Sequence, residues 1–143
     1  ILSMCRFVPE KKLHHLVEAF AGIGANDYKL VLAGDTDFED DYSRSLKKMS
    51  RECGVVLTGF IKGRKLHSLL TNACCFVLPS SHEGLPIALL EAMSYKLPVI
   101  VSNGSRTALS MLFQNRGCRA TTKKTGKADG TRSVSDRVRY EFI

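Results

Sequence analysis

Pro79-Ser80-Ser81-His82-Glu83-Gly84-Leu85-Pro86-Ile87-Ala88-Leu89-Leu90-Glu91-Ala92-Met93 joins an apolar run, residues 74–79, to a stretch with apolar residues at Ile87, Leu90 and Met93. The run has strand length and the stretch has helical spacing, so the segment reads as strand, turn and helix. Pro86 is predicted as the first helical residue, because its missing N–H is one that no helical carbonyl could use. Two glutamates, Glu83 and Glu91, straddle the turn with seven residues between them. In an open α/β sheet, ligands bind outside the carboxyl ends of the strands, and this turn stands at such an end. Gly84 lets the backbone approach a ligand closely, and the free N–H groups of a first helical turn can bind phosphate oxygens. Carboxylates on the loop and about two turns into the helix can each accept hydrogen bonds from vicinal hydroxyls of a ribose or a sugar ring.

Outward from this segment, apolar runs of strand length alternate with amphipathic stretches of helix length, the pattern of a parallel sheet wound with helices. Five strands are predicted, over residues 1–7, 28–34, 55–60, 74–79 and 98–102. Leu13, Leu16, Val17 and Phe20 recur at helical spacing, as do Leu66, Leu69, Leu70 and Ala73, so each set should pack one face on the sheet. Residues 40–53 open beside the acids Glu39, Asp40 and Asp41 and carry Lys47 and Lys48 further along, a charge order that suits a helix dipole. Beyond Asn103 the pattern fails. Residues 104–143 are rich in Arg, Lys, Thr, Ser and Gly, with scattered apolar residues, and are predicted to be poorly ordered or loosely packed.

A length of 143 residues suits one domain with a buried core. The chain starts at Ile1 and enters strand-like sequence at once, which leads us to expect a longer parent. No apolar run approaches the roughly 18 residues of a membrane span, so the expectation is a soluble chain. The net charge of +7 is uneven: residues 1–103 hold 12 Lys and Arg against 11 acids, whereas 104–143 hold 9 against 3. Such a tail could meet a polyanion. Its only aromatics, Phe113, Tyr140 and Phe142, are not interleaved with the charges, so base stacking is poorly supported and no nucleic-acid partner is expected. Cys5, Cys53, Cys74, Cys75 and Cys118 are odd in number and lack metal-ligand spacing; they read as small buried hydrophobes in a reducing compartment.

Five pieces of this sequence, in order, resemble the signature of glycosyltransferase family 4. They are Arg6-Phe7-Val8-Pro9-Glu10-Lys11, Leu30-Val31-Leu32-Ala33-Gly34-Asp35, Leu57-Thr58-Gly59-Phe60-Ile61, the two-glutamate motif, and Leu97-Pro98-Val99-Ile100. The resemblance spans residues 1–103 and implies a Rossmann-like parallel sheet with helices on both faces, the C-terminal half of a GT-B type glycosyltransferase. On that basis residues 1–103 are a nucleotide-sugar-binding domain. The full-length protein would transfer a sugar from a nucleoside diphosphate donor, with retention of configuration, to an acceptor held by an N-terminal domain. Family 4 donors carry UDP, GDP or ADP, and their products are polysaccharides, glycolipids and small metabolites.

Carried over position by position, the resemblance places Arg6 and Lys11 at the donor diphosphate, together with the amides of Gly84 and Leu85. Glu83 approaches the donor sugar as the catalytic residue, Glu91 holds the ribose, and Phe60 and Ile61 flank the nucleobase. No cofactor and no obligatory metal is implied, since fixed positive charge and a helix dipole stabilise the leaving diphosphate. A cytoplasmic location is implied, with peripheral association of the full-length protein at the inner face of the membrane. Alone, Arg6 and Lys11 would be solvated charges and Glu91 a surface acid; the order of the motifs is what gives them roles. His82 is a weaker ligand candidate. His14, His15 and His67 read as ordinary helix-face residues without visible partners, and Gly34 and Asp35 as a turn ending a strand. Asn103-Gly104-Ser105-Arg106-Thr107 lacks the Pro-Glu of the family pattern, so the C-terminal end of the sheet is expected to be incomplete. The competing reading is a nucleotide-sugar-binding module without turnover of its own.

Overall fold

The computed structural model describes residues 1–24, 27–102 and 140–142. Strands β1 (Leu2–Met4), β2 (Val31–Ala33), β3 (Val56–Gly59), β4 (Phe76–Leu78) and β5 (Val99–Ser102) fall inside the five predicted segments. Each ladder is shorter than the apolar run that encodes it, because the flanking residues leave the sheet for loops. Phe7, for example, donates its N–H to the Asp35 carbonyl at 2.8 Å, outside the strands. A sixth strand, β6 (Tyr140–Phe142), pairs antiparallel with β5 and was not expected from sequence. The sheet order is β3-β2-β1-β4-β5-β6. Apart from β6, the predicted tail over 104–143 lies outside the described residues.

Four α-helices connect the parallel strands: α1 (Leu13–Ile23), α2 (Asp41–Glu52), α3 (Gly63–Asn72) and α4 (Ile87–Ser94). Helix α2 starts where the acids predict. The Asp40 carboxylate accepts the Ser43 N–H at 2.7 Å while the Ser43 hydroxyl accepts the Asp40 N–H at 3.0 Å, a reciprocal cap. Among the described residues, no side chain caps α1, α3 or α4. Pro86 stands one place earlier than predicted, at the cap of α4 with an extended ψ of 90°, and its carbonyl accepts the N–H groups of Leu89 and Leu90.

Alternation along the strands divides the core in two. Leu2, Met4, Phe76, Leu78 and Val99 face α3 and α4 through Leu70, Leu89 and Ala92. Leu30, Leu32, Val55 and Val77 face α1 and α2 through Leu13, Leu16, Val17 and Leu46. The predicted Rossmann-like sheet, wound on both faces, is therefore the observed fold. Because the chain moves outward from β1 to β3 and then crosses back to β4, the strand order reverses between β1 and β4. That reversal is the point at which open α/β sheets bind ligands.

Among the described cysteines, Cys5, Cys53 and Cys75 are partly buried, but Cys74 is exposed rather than buried. It lies between the end of α3 and the first paired residue of β4, where no layer yet covers it. Cys118 lies outside the described residues. No helix among the described residues is long and apolar enough to cross a membrane.

Candidate functional site

Beyond the carboxyl ends of β1, β2 and β3, on the α3 and α4 side of the sheet, lies a cavity of about 310 Å³. Met4 and Cys5 follow β1, Ala33 and Gly34 end β2, Phe60 and Ile61 follow β3, and Leu66 comes from α3. The first turns of α4 supply Ile87, Ala88 and Glu91, which share one helix face by their spacing. The walls are apolar, and Glu91 is the one carboxylate among the lining residues. An apolar slot with a single acid suits a flat ring carrying a polyol.

Gly34 makes this floor. Its φ of 139° is open to glycine, and a Cβ there would overlap the Cys5 carbonyl oxygen. The Gly34 N–H donates to the Gly59 carbonyl at 2.9 Å, which ties β2 to β3 beyond the last paired residue of β2. Gly34 thus ends the strand, as expected, and also lines the cavity. Cys5 stands beside it with its thiol pushed up to about 12 by burial, a shift the nearby Lys11 ammonium reduces and the Glu83 carboxylate increases. Burial thus disfavours the thiolate, which is the reactive form of cysteine.

At the reversal point two loops are fastened together. A short 3₁₀ turn over Pro9–Lys11 follows β1, and the loop from Pro79 to Pro86 follows β4. The Ser81 N–H and hydroxyl both donate to the Glu10 carbonyl, at 2.9 and 3.1 Å. Lys11 Nζ donates to Glu83 Oε1 at 2.8 Å, with the two side chains only 18% and 8% exposed. Arg6, by contrast, is 63% exposed and 4.0 Å from Asp37. Gly84 and Leu85 are exposed on the loop that leads into α4. His82 is exposed as well, with its Nδ1 3.3 Å from the Ser81 hydroxyl.

The structure therefore sorts the predicted residues into three groups. Glu91, Phe60 and Ile61 share the cavity, Lys11 and Glu83 share a part-buried ion pair, and Arg6, Gly84 and Leu85 lie on exposed loops around them. All three histidines expected to lack partners have them: His15 Nδ1 is 3.5 Å from Glu18 Oε2 one turn along α1, while two reach across the fold, His14 Nδ1 lying 3.1 Å from the Tyr42 hydroxyl of α2 and His67 Nδ1 2.8 Å from that of Tyr95. Both of the latter contacts bridge residues 28 apart, a distance over which sequence spacing carries no signal. Lys47 was read as serving the helix dipole, yet it reaches back to Asp35 Oδ1 and Glu39 Oε1, each at 2.8 Å. It pins the loop after β2 against α2. The Lys47 hydrogen bond holds the Asp35 carboxyl below its ordinary value, and the two carboxylates in turn raise the lysine.

Comparison with known proteins places these features in context. The family model described as glycosyl transferases group 1 matches residues 1–123, past the boundary at Asn103 read from the motifs. An uncharacterized glycosyltransferase of Methanocaldococcus jannaschii is 34% identical over 104 residues, covering 72% of this chain and 27% of that protein. The O-antigen chain mannosyltransferase B of Escherichia coli is 33% identical over 99 residues, covering 66% of this chain and 26% of its own length. The chain thus spans about a quarter of the length of these relatives. Among solved structures, the catalytic domain of a cholesterol-α-glucosyltransferase from Helicobacter pylori superposes with a TM-score of 0.63 at 24% identity, over 78% of this chain and 70% of that one. At that identity the superposition speaks for the fold.

Proposed function

This chain belongs to the group 1 glycosyltransferase family, and from that premise we propose that its cavity holds the nucleoside of a nucleoside diphosphate sugar. The observation that carries the proposal is the shared placement of Phe60, Ile61 and Glu91 around one cavity beside the strand-order reversal. The base lies against Phe60 and Ile61, and the ribose hydroxyls donate to the Glu91 carboxylate. The diphosphate is met by the amides of Gly84 and Leu85, by the uncapped first turn of α4, and by the positive charge of the loop after β1. Glu83 faces the donor sugar.

In the whole protein this half would deliver the donor to an acceptor held by an N-terminal domain, and the sugar would pass with retention of configuration. Fixed charge and the α4 dipole stabilise the leaving diphosphate without an obligatory metal. Thermal unfolding with UDP, GDP and ADP tests the binding step. A ligand at about 100 times its dissociation constant adds ~2.7 kcal/mol of stability, so one of the three should raise the midpoint clearly. No rise with any of them would remove the proposal.

A further inference from the structure

Helices α3 and α4 supply two walls of the cavity, Leu66 from α3 and Ile87, Ala88 and Glu91 from α4. Beneath it they share a core of Leu70, Leu89 and Ala92. Apolar burial is non-directional, so that core holds the helices together without fixing how far one slides past the other. A directional link is added at one point. His67 Nδ1 and the Tyr95 hydroxyl are 2.8 Å apart, and their rings meet edge to face with centroids 5.5 Å apart. Among the described residues this is the one hydrogen bond between the two helices and their caps. Its place matters to the cavity. His67 follows Leu66 in α3, and Tyr95, the residue that ends α4, stands about one helical turn beyond Glu91. The link therefore sits next to one lining residue on each wall. The Tyr95 ring is half-buried against the core, which holds its hydroxyl in place, whereas His67 is exposed and fills no space inside.

We propose that His67 and Tyr95 are positioning residues, which set the width of the nucleoside slot by fixing α3 against α4. The proposal rests on the cavity being a nucleotide site. Neither side chain touches the ligand; they act through Leu66 on one wall and Glu91 on the other. With the link cut, the helices are held by apolar contact alone and the slot loses its definition. The nucleotide that fits best then loses most, so the link controls selectivity among bases as well as affinity.

The test is calorimetric titration of the 143-residue chain with UDP, GDP and ADP. The variants are Tyr95→Phe, which removes the hydroxyl and keeps the ring, His67→Ala, His67→Asn, and the double change His67→Ala/Tyr95→Phe. Tyr95→Phe and His67→Ala should each weaken the best-bound diphosphate by about three- to tenfold, the worth of one net hydrogen bond, and the other two by less than about twofold. The double variant should lie within about twofold of His67→Ala, because both changes cut the same link. His67→Asn places an amide oxygen near the position of Nδ1, where it can accept from the Tyr95 hydroxyl, and should keep most of the affinity. A purely structural role would lower the unfolding midpoint and weaken all three diphosphates alike, and that outcome overturns the proposal. Losses that multiply in the double variant, a His67→Asn variant as weak as His67→Ala, or a Tyr95→Phe variant that binds as before overturn it as well. If the unsubstituted chain binds none of the three, the nucleotide reading falls and this role falls with it. Binding by the unsubstituted chain with no change in the variants removes the role alone.

Discussion

Lys12 adopts φ 52° and ψ 30°, linking the 3₁₀ turn to α1 in a left-handed conformation that costs a residue with a Cβ roughly 1–2 kcal/mol. Lys12→Gly should therefore raise stability by about 1 kcal/mol, a gain readable as a higher urea midpoint with an unchanged slope. Gly34→Ala should do the opposite. Its new Cβ meets backbone, which cannot move aside as a side chain could, and a loss of at least ~2 kcal/mol is expected by the same measurement. Glu91→Ala should weaken nucleoside diphosphate binding about tenfold to a hundredfold, the worth of a charge-assisted hydrogen bond. Calorimetry that finds equal affinity would detach Glu91 from the ribose. The placement of Glu83 on the loop and of Glu91 in the helix after it was legible, because the segment reads as strand, turn and helix. Gly34 was half legible: Gly-Asp after an apolar run announces a turn, but nothing local says that β1 passes within a Cβ of it. The conformation of Lys12 was not legible at all, since Lys11-Lys12 before an apolar repeat reads as an ordinary helix approach.

Among the elements, the loop after β2 owes its position to one side chain of α2. Lys47 binds Asp35 and Glu39, and its hydrogen bond is the first cause of the lowered Asp35 carboxyl. The unfolded chain carries that carboxyl at its ordinary 3.8. A depressed folded value contributes stability that is present above 3.8 and is lost as pH falls through the folded value. Lys47→Met should therefore lower the urea midpoint at pH 7, and the gap to the unsubstituted chain should narrow when both are measured near pH 3. A gap independent of pH would mean that the lysine acts through its apolar stem alone. The existence of the nine helices and strands from β1 to β5 was legible, the strands and three of the helices from apolar runs and periods and α2 from its charge order. Their lengths were not, since the ladder stops where a neighbour's backbone turns away. Strand β6 escaped notice because edge pairing is made by backbone groups, which any sequence can supply.

For the whole molecule, strand period and helix period together told of a parallel sheet wound with helices, and the family resemblance added that both faces are covered. What they did not tell is how closely the two loops at the reversal are bound, because the Lys11–Glu83 pair joins positions 72 apart. That fastening matters for the sheet itself. Strands β1 and β2 are in register over three residue pairs, and so are β4 and β5, but β1 and β4 share only Leu2 with Phe76. The molecule thus has a seam down its middle, stitched by one ladder rung at one end and by the Glu10–Ser81 and Lys11–Glu83 links at the other. A nucleotide whose phosphates lie across both loops would act as a further rivet at the open end. Hydrogen exchange should show it: amides of β1 and β4, which open when the seam parts, should slow on nucleotide binding more than those along β2 and β3, far from the join.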